Sequence, residues 1–218
     1  MPALAALLAL ADQRLPSGGH VHSGGVEQAI ADGLLTGGAD LRSFLRRRLT
    51  SSGRVAAGLA VAATTLTAGD VARLDAEADA RMPSPAVREA SRAQGRGLLR
   101  TVRAAWAAPH ATLAWAHLGP RPHHPIVLGC AARAAGLDAV GAATVAAYLS
   151  VTGPATAAQR LLALDPVETA TITHELNDEI DALAAEVAAL DELPDEGDPL
   201  LDLLAERHGL RPMTLFAS

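Results

Sequence analysis

Half of this chain is hydrophobic, yet aromatic residues make up only 2% of it. The core therefore has to be built from Ala, Leu and Val, and this mixture favours helices over strands. The 218 residues are enough to bury one substantial core or two small ones. No segment has the clean alternation of a strand, and no internal repeat is found. The sequence predicts an all-α protein, a single-domain bundle of roughly ten helices over residues 1–218.

Proline and glycine mark the predicted helix boundaries. Asp165 followed by Pro166 is typical of a helix start, and it should open one long helix over 167–190. The pair Gly153-Pro154 is expected to end one helix and begin another. Allowing a residue or two at each end, the predicted helices span 2–12, 26–32, 41–49, 55–67, 70–81, 85–107, 112–118, 126–135, 139–151, 154–164, 167–190 and 200–208.

The basic residues exclude several functions. All 18 are arginine, so no lysine is present for a Schiff base or a phosphate-binding loop, and ATP or GTP hydrolysis is not expected of this chain alone. The formal charge of -6 argues against a nucleic-acid partner. The run Arg46-Arg47-Arg48 is interpreted as the solvated face of a helix.

A single cysteine, Cys130, excludes an intramolecular disulfide and a cysteine-based zinc site, and its Ala-rich surroundings predict a core position. The N-terminus lacks the positive start of a secretory signal, and no uninterrupted apolar run reaches the ~18 residues of a membrane span. We therefore expect a cytoplasmic protein without a membrane partner.

The stretch 15–27 concentrates four glycines, a proline and two histidines between two predicted helices, which packing alone does not explain. The His-x-His spacing of His20 and His22 can bring two imidazoles to one metal ion. The loop offers no Asp, Glu or Cys as a further ligand, so a structural or interface role is favoured over transient metal contact.

The other histidines give no catalytic signature. His123 and His124 lie in a proline-rich loop and are expected to be solvated, while His174 and Asp178 have the spacing of a hydrogen bond on a helix surface. No Ser-His-Asp arrangement, His-Glu-x-x-His motif or dinucleotide-binding glycine motif is present. The chain is therefore predicted not to be an enzyme.

The C-terminal part has two unusual segments. Residues 191–199 are acidic, contain two prolines, and are predicted to be a surface linker. The apolar residues 213–216 follow, and a free end of this kind is an interaction hazard unless it docks. We therefore interpret residues 209–218 as a docking tail.

Several blocks resemble the UreF family of urease accessory proteins. Residues 15–27, Leu-Pro-Ser-Gly-Gly-His-Val-His-Ser-Gly-Gly-Val-Glu, are similar to the family's Leu-Pro-x-Gly-x-Phe-Ser-Tyr-Ser-x-Gly-Leu-Glu. The departures are His20-Val21-His22 for Phe-Ser-Tyr, Gly209 for the usual Glu, and Thr214 for Arg. The other similar blocks are 91–95, 125–137, 157–164, 206–208 and 215–218.

The resemblance implies an all-α homodimer that binds UreD or UreH, partly through its C-terminal tail, and recruits the nickel-carrying GTPase UreG to apo-urease. It implies a scaffold for nickel insertion that holds no cofactor tightly, with nickel in transit and with His20 and His22 as transient contacts. A helical metal- or small-molecule-binding protein is the alternative, and an enzyme with a metal held by both histidines and a distant carboxylate is the third possibility. The residues expected to bind partners are Leu15, Pro16, Gly18, His20, His22, Ser23, Gly25, Glu27, Arg92, Gly95, His208, Leu215, Phe216 and Ser218.

Overall fold

The computed structural model describes residues 4–16, 22–106 and 115–216. Within those residues, every regular element longer than one residue is a helix. The all-α prediction is therefore confirmed. None of the described helices combines the length and the apolar character that crossing a bilayer requires. The helices are α1 (Leu4–Ala11), α2 (Val26–Ala31), α3 (Gly38–Arg48), a π-helical segment (Leu49–Gly53), α4 (Arg54–Thr64), α5 (Val71–Ala80), α6 (Pro85–Ala105), α7 (His124–Ala134), α8 (Ala139–Leu162), α9 (Pro166–His174), α10 (Asn177–Ala188) and α11 (Pro199–Gly209).

The centre of the molecule is the contact of α4 with α7 and α8. These helices are rich in alanine and glycine, so their backbones approach closely; a Cβ added at Gly129 would overlap the carbonyl oxygen of Ala60. Cys130 is buried beside this contact, as predicted, and burial raises the pKa of its thiol to about 12. Small side chains thus replace aromatic bulk as the means of filling the core.

The predicted caps are present where the chain turns into a helix. The Ser84 hydroxyl accepts a hydrogen bond from the Val87 N–H at 3.2 Å, and the Asp165 carboxylate accepts one from the Val167 N–H at 2.9 Å. In both cases a proline occupies the first turn, where its missing N–H costs no hydrogen bond. These local signals fix the starts of α6 and α9.

The expected break at Gly153-Pro154 is wrong, because α8 continues through Pro154 to Leu162. A proline inside a helix leaves the carbonyl four residues earlier without its N–H donor. That carbonyl belongs to Ser150, and it accepts a hydrogen bond from Nε of Arg48 at 3.3 Å. The arginine of a neighbouring helix thus replaces the missing donor and keeps α8 continuous.

The predicted long helix 167–190 is divided into α9 and α10 at Glu175 and Leu176. The Leu176 side chain at this turn is fully buried, so the chain changes direction at a residue that packs into the core. His174 consequently faces Asn177, with their side-chain nitrogens 2.9 Å apart, and the pairing expected with Asp178 is wrong.

The acidic segment 191–199 is mostly exposed, but it is fixed to the fold at several points, which include ion pairs of Glu196 with Arg54 and of Asp198 with Arg47. Pro194 is buried, and its carbonyl accepts a hydrogen bond from Nε of Arg81 at 2.7 Å. The segment therefore crosses the surface along a defined path to α11.

Candidate functional site

The glycine-rich loop and the C-terminal tail meet at one buried carboxylate. Glu27 lies in the first turn of α2, and its side chain is almost fully buried. Its carboxylate accepts hydrogen bonds from Nε2 of His208 at 3.1 Å, from the N–H of Leu215 at 2.8 Å and from the N–H of Phe216 at 2.9 Å. The first and last blocks of the family resemblance are thus in direct contact.

Burial acts to raise the pKa of Glu27, but the three hydrogen bonds outweigh burial and hold that pKa below its ordinary value of 4.5. The backbone N–H of Leu215 contributes most to this lowering, followed by the His208 ring and the N–H of Phe216. Glu27 is therefore ionised near neutral pH and binds the tail through charge-assisted hydrogen bonds.

The tail is held by its backbone, which leaves its side chains in two different environments. The Leu215 side chain is 79% exposed, whereas the Phe216 side chain is half-buried and packs against the core. An ion pair between Arg207 and Asp32 at 2.9 Å adds a second link between α11 and the end of α2. We refer to Glu27, His208, Leu215 and Phe216 as the tail clamp.

The loop before α2 uses its glycines to turn sharply. Gly24 and Gly25 have φ angles of 58° and 91°, a region that favours glycine, and Gly25 is the N-cap residue that precedes α2. The Gly24 carbonyl accepts a hydrogen bond from Nη1 of Arg48 at 2.7 Å, and Ser23 is fully buried. This turn places Glu27 beneath the tail.

A second cluster fixes the proline-rich loop before α7 to α6. The Ser91 hydroxyl lies 3.0 Å from Nδ1 of His123 and accepts a hydrogen bond from the His124 N–H at 3.3 Å. Nη1 of Arg92 donates to the carbonyl of Arg121 at 2.6 Å. Ser91 and Arg92, two residues of the 91–95 block, therefore bind the backbone and side chains of one loop.

Gly95 completes this cluster by leaving space for the loop. A Cβ at this position would overlap the carbonyl oxygen of Pro122 and lie 2.9 Å from the carbonyl carbon of His123. The loop is therefore packed directly on the backbone of α6, and His123 is fully buried. The expectation that His123 and His124 are solvated is wrong, because close packing at Gly95 encloses the first and places the second against the protein interior.

Two acidic residues of α5 neutralise the second cluster. Arg92 contacts Asp75 at 3.0 Å and Asp79 at 2.8 Å, and Nε2 of His123 lies 2.9 Å from Asp79. Burial acts to raise the pKa of Asp79, but His123 and Arg92 outweigh it and lower that pKa. Burial lowers the pKa of His123, so its imidazole is neutral near pH 7. We refer to Asp79, Ser91, Arg92, Gly95 and His123 as the loop clamp.

A cavity of about 250 Å³ lies between the two clamps. Leu15, His22 and Gly25 line it on one side, and His124 and Arg48 also face it. The interpretation of the arginine run as a solvated face therefore holds for Arg46 and Arg47, which are exposed, and is wrong for Arg48.

The sequence contained a signal for Arg48. Leu41, Phe44, Leu45 and Leu49 form the buried stripe of α3 and its continuation, and position 48 falls at the same helical spacing. No comparable signal marks His123 and Asp79, because their contact joins residues of two elements far apart in the sequence.

The described site residues thus lie in the two clamps, around the cavity and, for Pro16 and Ser23, outside these places. Glu27, His208, Leu215 and Phe216 meet in the tail clamp, while Arg92 and Gly95 belong to the loop clamp. Pro16 is exposed, and its carbonyl accepts a hydrogen bond from the Thr101 hydroxyl at 2.8 Å. Among the residues that the structure describes, no group of three or more His, Cys, Asp or Glu side chains could hold a metal ion. The predictions for Gly18, His20 and Ser218 fall outside the described residues.

The fold and the tail clamp define an all-α protein that fixes its own C-terminal tail by the backbone and presents apolar tail side chains at the surface. The UreF family model matches residues 35–177. Proteins named urease accessory protein UreF are 50% identical in Mycolicibacterium vanbaalenii, 51% in Mycobacterium sp. (strain JLS) and 48% in Mycobacterium tuberculosis, each over the whole of both chains. The chain belongs to the UreF family of urease accessory proteins. These relatives are named as accessory proteins and not as enzymes, in agreement with the non-enzymatic prediction.

Proposed function

We propose that this protein is a scaffold for urease maturation that binds a UreD or UreH homologue and, with it, recruits the GTPase UreG to apo-urease. Nickel is then the cargo of the assembly, and the scaffold works in the cytoplasm as a homodimer. The observation that carries the proposal is the C-terminal tail, which is fixed by Glu27 through its backbone and leaves its apolar side chains available to a partner.

Exposure along the tail supports a binding surface. Leu210, Met213 and Leu215 are 85%, 81% and 79% exposed, and Leu203 on α11 is 60% exposed. Exposed apolar side chains that cluster in one region are typical of a protein interface, and a few buried anchors carry most of the binding energy of such an interface. Phe216 points toward the core, so in this proposal it positions the tail and Leu215 contacts the partner.

A co-purification experiment tests the tail. We expect the variant lacking residues 211–218 to lose binding to the UreD or UreH homologue while its helical circular dichroism stays nearly unchanged, since residues 211–216, the described part of the deleted segment, contain no helix. Retained binding would overturn the proposed role of the tail.

A point substitution tests the same surface with the tail in place. Leu215→Asp adds a charge where a partner would bury an apolar side chain, and we expect it to weaken the complex at least tenfold. Val167→Asp is the matched control, because Val167 is 70% exposed on α9, and it should leave binding unchanged. Equal losses in both variants would point to a general effect of surface charge.

The proposed role in nickel insertion is tested in cells. Co-expression with urease subunits and the other accessory proteins should give active urease with the wild-type chain and little activity with the tail deletion. A matched nickel titration of the His20→Ala, His22→Ala double variant tests transient nickel contact, which predicts weaker nickel binding than in the wild-type chain. Light scattering of the purified chain tests the homodimer.

A further inference from the structure

The cavity between the two clamps contains an arginine that forms no ion pair with a described carboxylate. Arg48 lines the cavity at the end of α3, directly before the π-helical segment. Its guanidinium donates to two carbonyl oxygens, those of Gly24 at 2.7 Å and Ser150 at 3.3 Å. Its neighbours Arg46 and Arg47 form ion pairs with Glu179 and Asp198, whereas no carboxylate of the described residues forms one with Arg48.

Burial weakens the charged form of this guanidinium and lowers the pKa of Arg48 to about 10, although the carboxylate of Asp198 acts in the opposite direction. The group still carries a full positive charge near pH 7. Arg48 is half-buried, and a cation partly removed from water is costly unless an opposite charge compensates it; two carbonyl dipoles compensate it only in part. The remaining N–H groups of Arg48 have no acceptor among the residues that the structure describes.

The other charged groups of the cavity wall are already compensated. Asp12 forms an ion pair with Arg14 at 2.7 Å. Arg81 forms an ion pair with Glu77 and donates to the carbonyl of Pro194. Arg48 is therefore the charged group of this wall that forms no direct ion pair within the described part of the chain, and Asp198 stabilises its charge only from a greater distance.

A histidine faces the same cavity. The His124 imidazole makes no hydrogen bond to another described residue, and only the His124 backbone N–H is bonded. Burial, with a smaller contribution from the nearby His22, lowers the pKa of His124 to about 4. The ring is therefore neutral near pH 7 and keeps one N–H that can donate to a ligand.

We propose that this cavity binds a small planar oxyanion of the carboxylate or bicarbonate class, held by the guanidinium of Arg48 with the His124 imidazole as a second donor. The planar guanidinium matches the two oxygens of such an anion, and the anion supplies the missing counter-charge. A divalent cation fits less well, because the guanidinium would repel it and because Asp12, the carboxylate among the described lining residues, is already paired with Arg14. A cavity of about 250 Å³ has room for a ligand of this size. This inference is independent of the proposed role in urease maturation.

Calorimetric titration of the purified full-length chain with formate, acetate and bicarbonate, at constant ionic strength set with chloride, tests the proposal. We expect saturable binding that is weakened tenfold or more in Arg48→Gln and several-fold in His124→Gln. Arg46→Gln is the matched control, because Arg46 lies on the same helix and is exposed, and it should bind as the wild-type chain does. Absence of saturable binding for all three anions overturns the proposal, as does an equal loss in Arg46→Gln and Arg48→Gln.

Arg48 also supports the Ser150 carbonyl, so Arg48→Gln could fail to fold. Arg48→Lys keeps the charge but lacks the paired donors, and His124→Gln removes a ring that has no bonded partner among the described residues. Circular dichroism checks the fold of each variant. If Arg48→Gln is unfolded, weaker anion binding in both other variants supports the proposal, and unchanged affinity in both overturns it.

Discussion

The tail clamp and the loop clamp use the same chemistry for opposite purposes. Each joins a buried histidine to a carboxylate, Glu27 with His208 and Asp79 with His123, and each fixes a segment without regular structure to a helix. The two segments differ in how far their side chains are exposed to solvent. The loop held by His123 is packed into the fold, whereas the tail held by Glu27 leaves the Leu215 side chain exposed.

The position of the carboxylate explains the difference. Glu27 is almost fully buried, and it binds the tail through two backbone N–H groups, so the contact does not depend on which side chains the tail carries. The Asp79 side chain is half exposed. The loop is also fixed by hydrogen bonds of Arg92 and by close packing against Gly95. Hydrogen bonds to the backbone fix the tail and leave its side chains free to contact a partner. Close packing at Gly95 instead fixes the loop as part of the core.

The largest expected effect is in the loop clamp. Gly95→Ala places a Cβ against the Pro122 carbonyl, and the backbone of α6 or of the loop has to move. We expect a loss of about 3 kcal/mol in the free energy of unfolding, measured by denaturant titration. Gly153→Ala is the control, because no atom lies within 4 Å of the added Cβ, and it should change stability by less than about 1 kcal/mol. Similar losses in both would contradict close packing at Gly95.

The next effect concerns the histidine of the loop clamp. His123→Ala removes the hydrogen bonds with Ser91 and Asp79 and leaves a cavity, so we expect a loss of about 2 kcal/mol in the free energy of unfolding. The exposed His174 is the control, and His174→Ala should cost less than about 0.5 kcal/mol. A neutral His123→Ala would show that Gly95 and Arg92 hold the loop without the histidine.

Local signals in the sequence were sufficient for much of this fold. Ser84 and Asp165 with their following prolines located two helix starts, and the low content of aromatic residues indicated an all-α core. The resemblance selected Glu27, His208 and the tail as functional, although it did not reveal that they touch. These features depend on residues close together in sequence or on recognisable motifs.

The features that were missed depend on contacts between distant residues. The local sequence at Pro154 predicts a helix break. The proline is tolerated because Arg48, on a helix about a hundred residues earlier, donates a hydrogen bond to the carbonyl that Pro154 leaves without a donor. The local sequence at His123 predicts a solvated loop histidine. The residue is buried because Gly95, which has no side chain, allows the loop to pack directly on α6. Such compensation is invisible to any rule that considers only neighbouring residues.

A smaller effect is expected in the tail clamp. Glu27→Gln replaces one acceptor oxygen by an NH₂ group, which cannot accept a bond from the tail N–H groups. We expect a loss of about 1 kcal/mol in global stability, with hydrogen-exchange protection of the Leu215 and Phe216 amides reduced selectively. Glu179→Gln, which breaks the exposed pair with Arg46, should leave those two amides protected. Retained protection in Glu27→Gln would contradict the proposed hold on the tail.

The tail clamp and the core are expected to respond to pH in different ranges. The lowered pKa values of His123 and His124 mean that the unfolded chain binds more protons than the folded chain below their ordinary value of 6.5. Global stability should therefore begin to fall as the pH drops below 6.5. The Glu27 pKa is lowered too, but from 4.5, so the docked tail is fully favoured above that pH and is released only as the pH falls through the lowered value.

We therefore expect the NMR shifts of the Leu215 and Phe216 amides to stay constant between about pH 7 and pH 5 while global stability, measured by denaturant titration, declines. His124→Gln should reduce that decline, because the pKa of this residue falls to about 4 on folding. Glu27→Gln should leave the decline in place and remove the later change in the tail. If instead the tail amides shift together with global stability near pH 6, the two clamps form one cooperative unit, and a tail that docks independently of the core is ruled out.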